Sequence, residues 1–99
     1  MNYEVVSEPK VALDLIEIFN YYSEINYKLA NDFLAEFEKV ELIISNIPKG
    51  FEVKYKKVRT LKIERFPYLV HYFLEENYSQ AIIIAITHSH KNPSDYTLR

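Results

Sequence analysis

Basic, imidazole and phenol side chains gather in the last third of the chain, where strands are predicted to end. The residues concerned are Arg59, His88, His90, Lys91 and Tyr96. A hydroxyl that attacks a neighbouring phosphodiester needs a base, an acid for the leaving oxygen and cations for the developing charge. Histidine, tyrosine, lysine and arginine can fill these roles. These five residues are therefore the catalytic candidates if the chain is a nuclease.

Each basic candidate also has an ordinary structural interpretation. A histidine that closes a strand, such as His88, commonly bonds to backbone. Arg59 and Arg65 fall in the same phase as the apolar residues of their strand. An arginine in that position either lines an uncovered sheet face or pairs with a helix carboxylate, and Glu36 and Glu38 are the carboxylates at hand. Both interpretations remain open at the level of sequence.

The sequence also bears on His71, on a metal site and on a cofactor. His71 shares a strand face with Leu69 and Phe73, so it is interpreted as a structural histidine. His88 and His90 also share a face, but no third ligand stands at a suitable spacing, and no metal site is predicted. The sequence predicts no cofactor either, because a single glycine leaves no loop that could cradle a phosphate.

Composition narrows the class of protein. The chain has 99 residues, 48% of them apolar, which suits one globular domain over residues 1–99. It lacks cysteine, which excludes disulfides and thiolate chemistry. The net charge of −2 argues against binding through phosphate contacts, so direct sequence-specific DNA binding is not expected. Without a signal-peptide pattern or a membrane-length apolar run, a cytoplasmic protein is expected.

Two predicted amphipathic helices should support the strands that carry the candidate residues. Ser7 is a predicted N-cap and Pro9 a first-turn residue. The first helix has a predicted buried stripe of Ala12, Leu15, Ile16, Phe19 and Tyr22, and a wet stripe of Lys10, Asp14, Glu17 and Glu24. A break at residues 25–27 precedes a second buried stripe, which comprises Ala30, Phe33, Phe37, Val40, Ile44 and Ile47. Pro48 should end that helix.

Strand periodicity covers the two ends of the chain. Residues 3–6 suggest a short first strand, and residues 51–65 suggest a second strand that a bulge or turn interrupts at Lys57. Strands at residues 68–75 and 81–88 follow, joined by a tight turn. The predicted order is β-α-α-β-β-β. The fold class is α+β, a small and mostly antiparallel sheet with a helical hairpin on one face.

Several segments together resemble the RelE/ParE superfamily of toxins from type II toxin–antitoxin systems, and its ParE-type branch more than the rest. The resemblance covers nearly the whole chain. It rests on Ala12-Leu13-Asp14-Leu15, Tyr21-Tyr22, Ala30-Asn31-Asp32-Phe33, Pro48, Val58-Arg59, the segment from Arg65 to Tyr72, and His88-x-x-Lys91-Asn92-Pro93. No element is diagnostic by itself, but their order and spacing are specific.

The resemblance implies a growth-inhibiting, plasmid-stabilising toxin that a cognate antitoxin protein neutralises. A ParE-like member would inhibit DNA gyrase by binding it, without enzymatic activity. A RelE-like member would be a ribosome-dependent messenger-RNA endoribonuclease. Here Tyr68 stands at one of the family's basic positions, and Lys91 and Tyr96 stand where arginine and tryptophan are common. This incomplete nuclease set favours the gyrase inhibitor over the ribonuclease, and an inactive interaction domain of the same fold is the third alternative.

Overall fold

The computed structural model describes residues 2–89, which form two α-helices and five strands. In chain order the elements are β1 (Glu4–Ser7), α1 (Pro9–Ile25), α2 (Tyr27–Asn46), β2 (Val53–Tyr55), β3 (Val58–Lys62), β4 (Tyr68–Glu75) and β5 (Gln80–His88). The sheet order is β1-β5-β4-β3-β2. β1 runs parallel to β5, and the other neighbouring strands are antiparallel. The predicted α+β class with a mostly antiparallel sheet is confirmed.

A single extended residue, Asn26, separates the two helices. Its side-chain oxygen accepts hydrogen bonds from the backbone N–H groups of Lys28 and Leu29, at 2.8 and 3.4 Å. These bonds satisfy two of the donors that the first turn of α2 leaves without an intrahelical partner. At its other end α2 stops at Asn46, before Pro48. Both predicted boundaries, the break near residue 26 and the end before the proline, are confirmed.

The start of α1 differs from the prediction. Ser7 still belongs to β1, where it pairs with Ile83 of β5. Glu8 takes the N-cap position instead, without a capping hydrogen bond from its side chain, and its backbone N–H donates to the Ile83 carbonyl at 3.0 Å. The predicted Ser7 cap is therefore wrong, because the parallel ladder to β5 extends one residue further than the capping pattern suggests. Pro9 does occupy the first helical turn.

The core lies between the helical hairpin and one face of the sheet. Helix α2 supplies the predicted stripe, with Ala30, Phe33, Phe37, Val40 and Ile44 buried, whereas Ile47 is 52% exposed. The sheet supplies Val70, Tyr72, Ala81, Ile83 and Ile86. The fully buried Tyr72 donates its hydroxyl to the Pro48 carbonyl at 2.8 Å. Burial raises the pKa of Tyr72 to about 12, so this side chain is neutral at physiological pH.

The predicted stripe of helix α1 is confirmed in part, because Tyr22 is buried in the core and Leu15 and Phe19 pack against it partly buried. The buried residues of this helix are Val11, Ile18 and Tyr22, whereas Ala12 is exposed and Ile16 is 56% exposed. Apolar residues surround much of this helix, so the sequence pattern is compatible with more than one buried face. Packing of the Tyr22 ring in the core selects the observed face. Neither α1 nor α2 is long and apolar enough to cross a membrane.

Residues 51–65 form two strands where the sequence suggested one interrupted strand. Lys56 adopts a left-handed conformation with φ of 49°, and the chain reverses there between β2 and β3. Residues other than glycine rarely adopt this left-handed backbone conformation outside tight turns. The described sheet therefore has one strand more than the predicted β-α-α-β-β-β order. The turn between β2 and β3 includes Lys57, the residue at which the sequence alternation breaks.

Candidate functional site

The structure describes two of the five catalytic candidates, Arg59 and His88. The other three, His90, Lys91 and Tyr96, lie outside the described residues, so their predicted roles stay predictions. The two described candidates belong to different strands, Arg59 to β3 and His88 to the last position of β5.

The sheet register separates these two candidates. Arg59 stands opposite Tyr72 of β4, and His88 stands opposite Tyr68 of the same strand. Tyr72 and Tyr68 are four residues apart, which corresponds to about 13 Å of extended strand. The structure therefore does not bring Arg59 and His88 to the same strand end.

Arg59 binds backbone carbonyls at the start of the sheet. Its Nη1 donates to the Phe51 carbonyl at 2.6 Å and to the Lys49 carbonyl at 3.4 Å. Both carbonyls belong to the segment that connects α2 to β2, so the guanidinium fastens this segment to β3. Among residues 2–89, Arg59 forms no ion pair with a helix carboxylate, which was one of the two interpretations that the sequence left open. The hydrogen bonds to these two carbonyls give Arg59 a structural role.

Replacing Arg59 with alanine should lower the free energy of unfolding by about 1–3 kcal/mol, since a charged donor to two carbonyls is lost. Urea denaturation followed by circular dichroism measures the change. Lys57→Ala is the matched control, because it removes a positive charge from the exposed β2–β3 turn. Equal unfolding midpoints for the two variants would contradict the structural role and leave the guanidinium available to a target.

Arg65 follows the structural alternative that the sequence raised. Its Nη1 lies 3.7 Å from Glu36 and its Nη2 lies 3.6 Å from Asp32, both on α2. Glu36 is only 7% exposed and also pairs with Lys39 at 3.3 Å. Because α2 carries a nearly buried carboxylate, the two cations offset its desolvation cost. Arg65 thus ties the connection between β3 and β4 to helix α2.

His71 is the structural histidine that its position predicts. It is fully buried, and its Nδ1 lies 3.0 Å from the Tyr55 hydroxyl while its Nε2 lies 2.7 Å from Thr87 Oγ1. Both ring nitrogens thus have hydrogen-bonding partners on neighbouring parts of the sheet. The resulting chain of side chains joins β2, β4 and β5. Among residues 2–89, no three histidine, aspartate or glutamate side chains form a group able to hold a metal ion.

A cavity lies between α1 and the end of β5, and we call it the α1–β5 cavity. Its volume is about 710 Å³, within the range of ligand sites, about 300–1,000 Å³. The side chains that matter for its chemistry are Asp14, Glu17, Tyr21, Tyr22, Tyr68 and His88. The first two were assigned to the wet side of α1 by the sequence pattern. The end of β5 and the start of β4 lie beside this part of α1, so the polar side of the helix lines the cavity.

Aromatic rings form one wall of the α1–β5 cavity. The His88 ring meets the Tyr68 ring edge-on at 5.6 Å, and the Tyr22 ring meets Tyr68 at 6.4 Å. Tyr21 packs against Tyr22 at 5.1 Å. Burial raises the pKa of Tyr68 to about 12, and a hydrogen bond with Tyr22 and the Glu17 carboxylate act in the same direction. Tyr68 is therefore a neutral aromatic surface at physiological pH.

A second surface consists of apolar side chains that the helical hairpin leaves exposed. We call it the hairpin surface, and it comprises Leu13, Ile16, Tyr21, Ile25, Tyr27 and Leu42. Each of these side chains is 56–68% exposed. Apolar residues on several sides of one helix indicate such a surface. In α1 they were interpreted only as one buried stripe. Six large apolar side chains exposed on one helical hairpin make the hairpin a candidate interaction surface of the described residues.

Comparison with known proteins identifies the fold. No family model matches the chain, and no curated protein matches it. Among solved structures, a chain from the chromosomal ParDE TA system of P. aeruginosa superposes with a TM-score of 0.75. The match has 20% sequence identity and covers 87% of this chain and 95% of that chain. The predicted resemblance is therefore confirmed at the level of structure, and the chain has a RelE/ParE-like fold.

Proposed function

We propose that this chain is the toxin of a type II toxin–antitoxin pair, that a cognate antitoxin neutralises it, and that it acts by binding DNA gyrase. The observation that carries the proposal is the structural match to a chain of a ParDE TA system, which extends over 87% of this chain and 95% of that chain. A match of nearly equal lengths means that the whole fold is shared, not a common substructure. Fold alone does not fix function, so the site must support it.

Two features of the described residues support a binding protein over a nuclease. Arg59, a cation for a phosphodiester in the nuclease hypothesis, is engaged by the carbonyls of Phe51 and Lys49. At the position of a family cation, Tyr68 supplies a neutral ring, with its pKa raised to about 12 by burial. The net charge of −2 also disfavours RNA as the main ligand.

The ribosome-dependent endoribonuclease is the alternative. Its proposed catalytic groups are His88 or His90 as acid or base, Arg59 and Lys91 for phosphate charge, and Tyr96 for stacking. The placement of His88 against Tyr68 at the mouth of a cavity is the observation that favours it. An interaction domain that has the same fold but no toxicity is the third candidate.

The antitoxin is proposed to bind as an extended tail that crosses the hairpin surface and an edge of the sheet. The hairpin surface offers apolar anchors, which must supply most of the affinity when a disordered segment becomes ordered. The outer strands β1 and β2 offer backbone groups for an added strand. At β2 the tail would meet Lys54, Lys56 and Lys57, so acidic tail residues fit there.

Induction of this chain alone in a bacterial host should arrest growth, and co-expression of the reading frame beside its gene should restore growth. Colony counts after induction, with soluble expression verified on gels, measure both effects. Unimpaired growth at verified expression would contradict an active toxin and favour the interaction domain.

Two assays then separate the targets. The purified chain should inhibit supercoiling by gyrase in a concentration-dependent manner, and mapping of 5′ ends on ribosome-bound messages after induction should show no new cuts. Codon-specific cuts that disappear in Lys91→Ala or Tyr96→Ala would reverse the preference and establish the ribonuclease. Inhibition of gyrase that persists in these two variants would support the binding mechanism.

Hydrogen exchange with and without the antitoxin tests the binding mode. Protection should increase in α1 and in at least one edge strand. Tyr21→Ser should weaken the complex on the order of tenfold or more, as expected for an aromatic anchor. Tyr78→Ser is the matched control, because Tyr78 is 74% exposed in the turn between β4 and β5, outside the hairpin surface. Unchanged protection of α1 in a complex shown to form would rule this mode out.

A further inference from the structure

The face of the sheet that points away from the helical hairpin is apolar. We call it the outer face, and its apolar residues include Val58, Leu69, Phe73, Ile82 and Ala85, which alternate along the strands with residues of the core. An antiparallel sheet with one face in water normally has polar residues at alternate positions. Strands β4 and β5 instead have the composition of strands that are covered on both faces.

Four residues of the outer face are also nearly inaccessible to solvent. Val58 and Ala85 are each 7% exposed, Thr87 is 4% exposed, and His71 is fully buried. Val58 and Ala85 do not belong to the core cluster between the sheet and the helical hairpin. Since the hairpin packs against the opposite face, the burial of these four residues requires a second cover.

Residues 90–99, which lie outside the described residues, follow β5 directly and can reach the outer face. The backbone N–H of Ser89 donates to the Pro67 carbonyl at 2.7 Å, which holds the chain beside the start of β4. Ala85 lies four residues back along β5, about 13 Å away, and β3 lies two strands from β5, about 10 Å. The seven residues from Ser89 to Tyr96 span up to about 23–25 Å when extended. This length is sufficient to place Tyr96 over either strand.

The side chains of this segment suit an apolar surface. Tyr96 and Leu98 are two residues apart, so an extended backbone places both on the same side. A groove of about 510 Å³ on the outer face is lined by Val58, Phe73 and Ala85 among others. A groove of this size has room for an aromatic and an aliphatic side chain. Burial of these two side chains would supply the free energy that orders the segment.

The charges along the groove also favour this segment. Lys10, Lys56 and Glu8 line the groove, so cations are in excess there. Asp95 directly precedes Tyr96 and points to the other side of an extended chain, toward the margin of the groove. A carboxylate at that position is attracted by the two lysines.

We propose that residues 90–99 fold back across the outer face of the sheet, with Tyr96 and Leu98 packed beside Val58 and Ala85. The inference rests on the sheet and does not depend on the proposed function. It gives Tyr96 a structural role, which differs from the RNA-stacking role that the ribonuclease hypothesis assigns to it.

Nuclear Overhauser effects in the full chain test the contact directly. The ring protons of Tyr96 should show cross-peaks to the methyl groups of Val58 and Ala85. Cross-peaks from Leu98 to the outer face should accompany them. A folded chain in which residues 90–99 show no cross-peak to the outer face would overturn the proposal.

The rate of thiol labelling tests whether this segment is the cover. The chain has no cysteine, so one introduced thiol reports only on its own position. Ala85→Cys should react slowly with a water-soluble thiol reagent. Adding Tyr96→Ser and Leu98→Ser should raise the rate on the order of tenfold or more, because local opening then exposes the thiol. Tyr78→Ser is the matched control, since Tyr78 is 74% exposed, and it should leave the rate unchanged.

A second thiol position distinguishes loss of the cover from global unfolding. Ala30 is fully buried in the core, and Ala30→Cys should stay slow in both backgrounds at a temperature where circular dichroism shows a folded chain. An equal rise at positions 30 and 85 would contradict a local cover. An unchanged rate at Ala85→Cys would mean that neighbouring side chains cover the outer face, and it would overturn the proposal. Labelling that slows as the protein concentration rises would assign the cover to a second copy of the chain, with the same consequence.

Discussion

Replacing Phe33 with alanine is expected to lower the free energy of unfolding by about 3–5 kcal/mol, the cost of a cavity left by a core aromatic ring. Phe33 is fully buried on α2. Its ring meets Phe66 at 5.4 Å, Tyr68 at 5.7 Å and Tyr22 at 6.1 Å. The first two contacts are edge-on, a geometry that adds to the burial term. Since domains of this kind are stable by about 5–15 kcal/mol, the loss is a large share of the total.

Urea denaturation followed by circular dichroism measures this loss. Tyr27→Ala is the matched control, because Tyr27 is an aromatic residue on the same helix that is 66% exposed and meets only Phe19, edge-on at 5.9 Å, among the described ring contacts. It should cost less than about 1 kcal/mol. A similar cost for both variants would mean that Phe33 is not at the centre of the core. The result also matters for function, because Tyr22 and Tyr68 carry the wall of the α1–β5 cavity.

Where the sequence prediction succeeded, one physical signal dominated. In α2 the residues Ala30, Phe33, Phe37, Val40 and Ile44 recur at helical spacing and are all buried, although apolar residues such as Leu42 also lie outside this stripe. Strand β4 covers Tyr68–Glu75, as predicted, because Phe66-Pro67 interrupts the chain before it. Asn26 and Pro48 mark the ends of α2 through their own local chemistry. Such features need no knowledge of the tertiary structure.

Where the prediction failed, tertiary packing decided between alternatives that the sequence leaves equal. Helix α1 has apolar residues on several sides, so its pattern cannot tell the core face from the hairpin surface. Ile16 was assigned to the core, and the structure exposes it. Ser7 has the chemistry of a cap, but pairing with Ile83 keeps it in the sheet. The ladder contributes more backbone bonds than a single cap would.

The candidate site shows the same division. Arg59 and His88 were selected for their chemical types, but the sheet register that separates them is a long-range property. Asp14 and Glu17 were overlooked because acidic residues on the polar side of a helix are usually solvated. Only the position of β5 beside α1 converts them into a cavity wall.

The other large effect is expected at His71, whose removal should leave a buried hydroxyl without a partner. In His71→Leu the hydrogen bonds to Tyr55 and Thr87 are lost, and Thr87, only 4% exposed, cannot reach water. The expected loss of unfolding free energy is about 2–4 kcal/mol, from the lost bonds and the unsatisfied hydroxyl together. Thr87→Val should cost about 1–2 kcal/mol, since it leaves Nε2 of the buried histidine without this bond.

The double variant distinguishes this explanation from simple loss of packing. Replacing both partners of a buried hydrogen bond by apolar groups removes the unsatisfied atom, so His71→Leu with Thr87→Val should be less destabilised than the sum of the single variants. The coupling should be about 1 kcal/mol or more, as expected for residues in direct contact. Urea denaturation of the four proteins in the cycle measures it. Additive losses would mean that the 2.7 Å contact between Nε2 and Thr87 Oγ1 contributes no coupling, and that His71 stabilises the sheet through its volume alone.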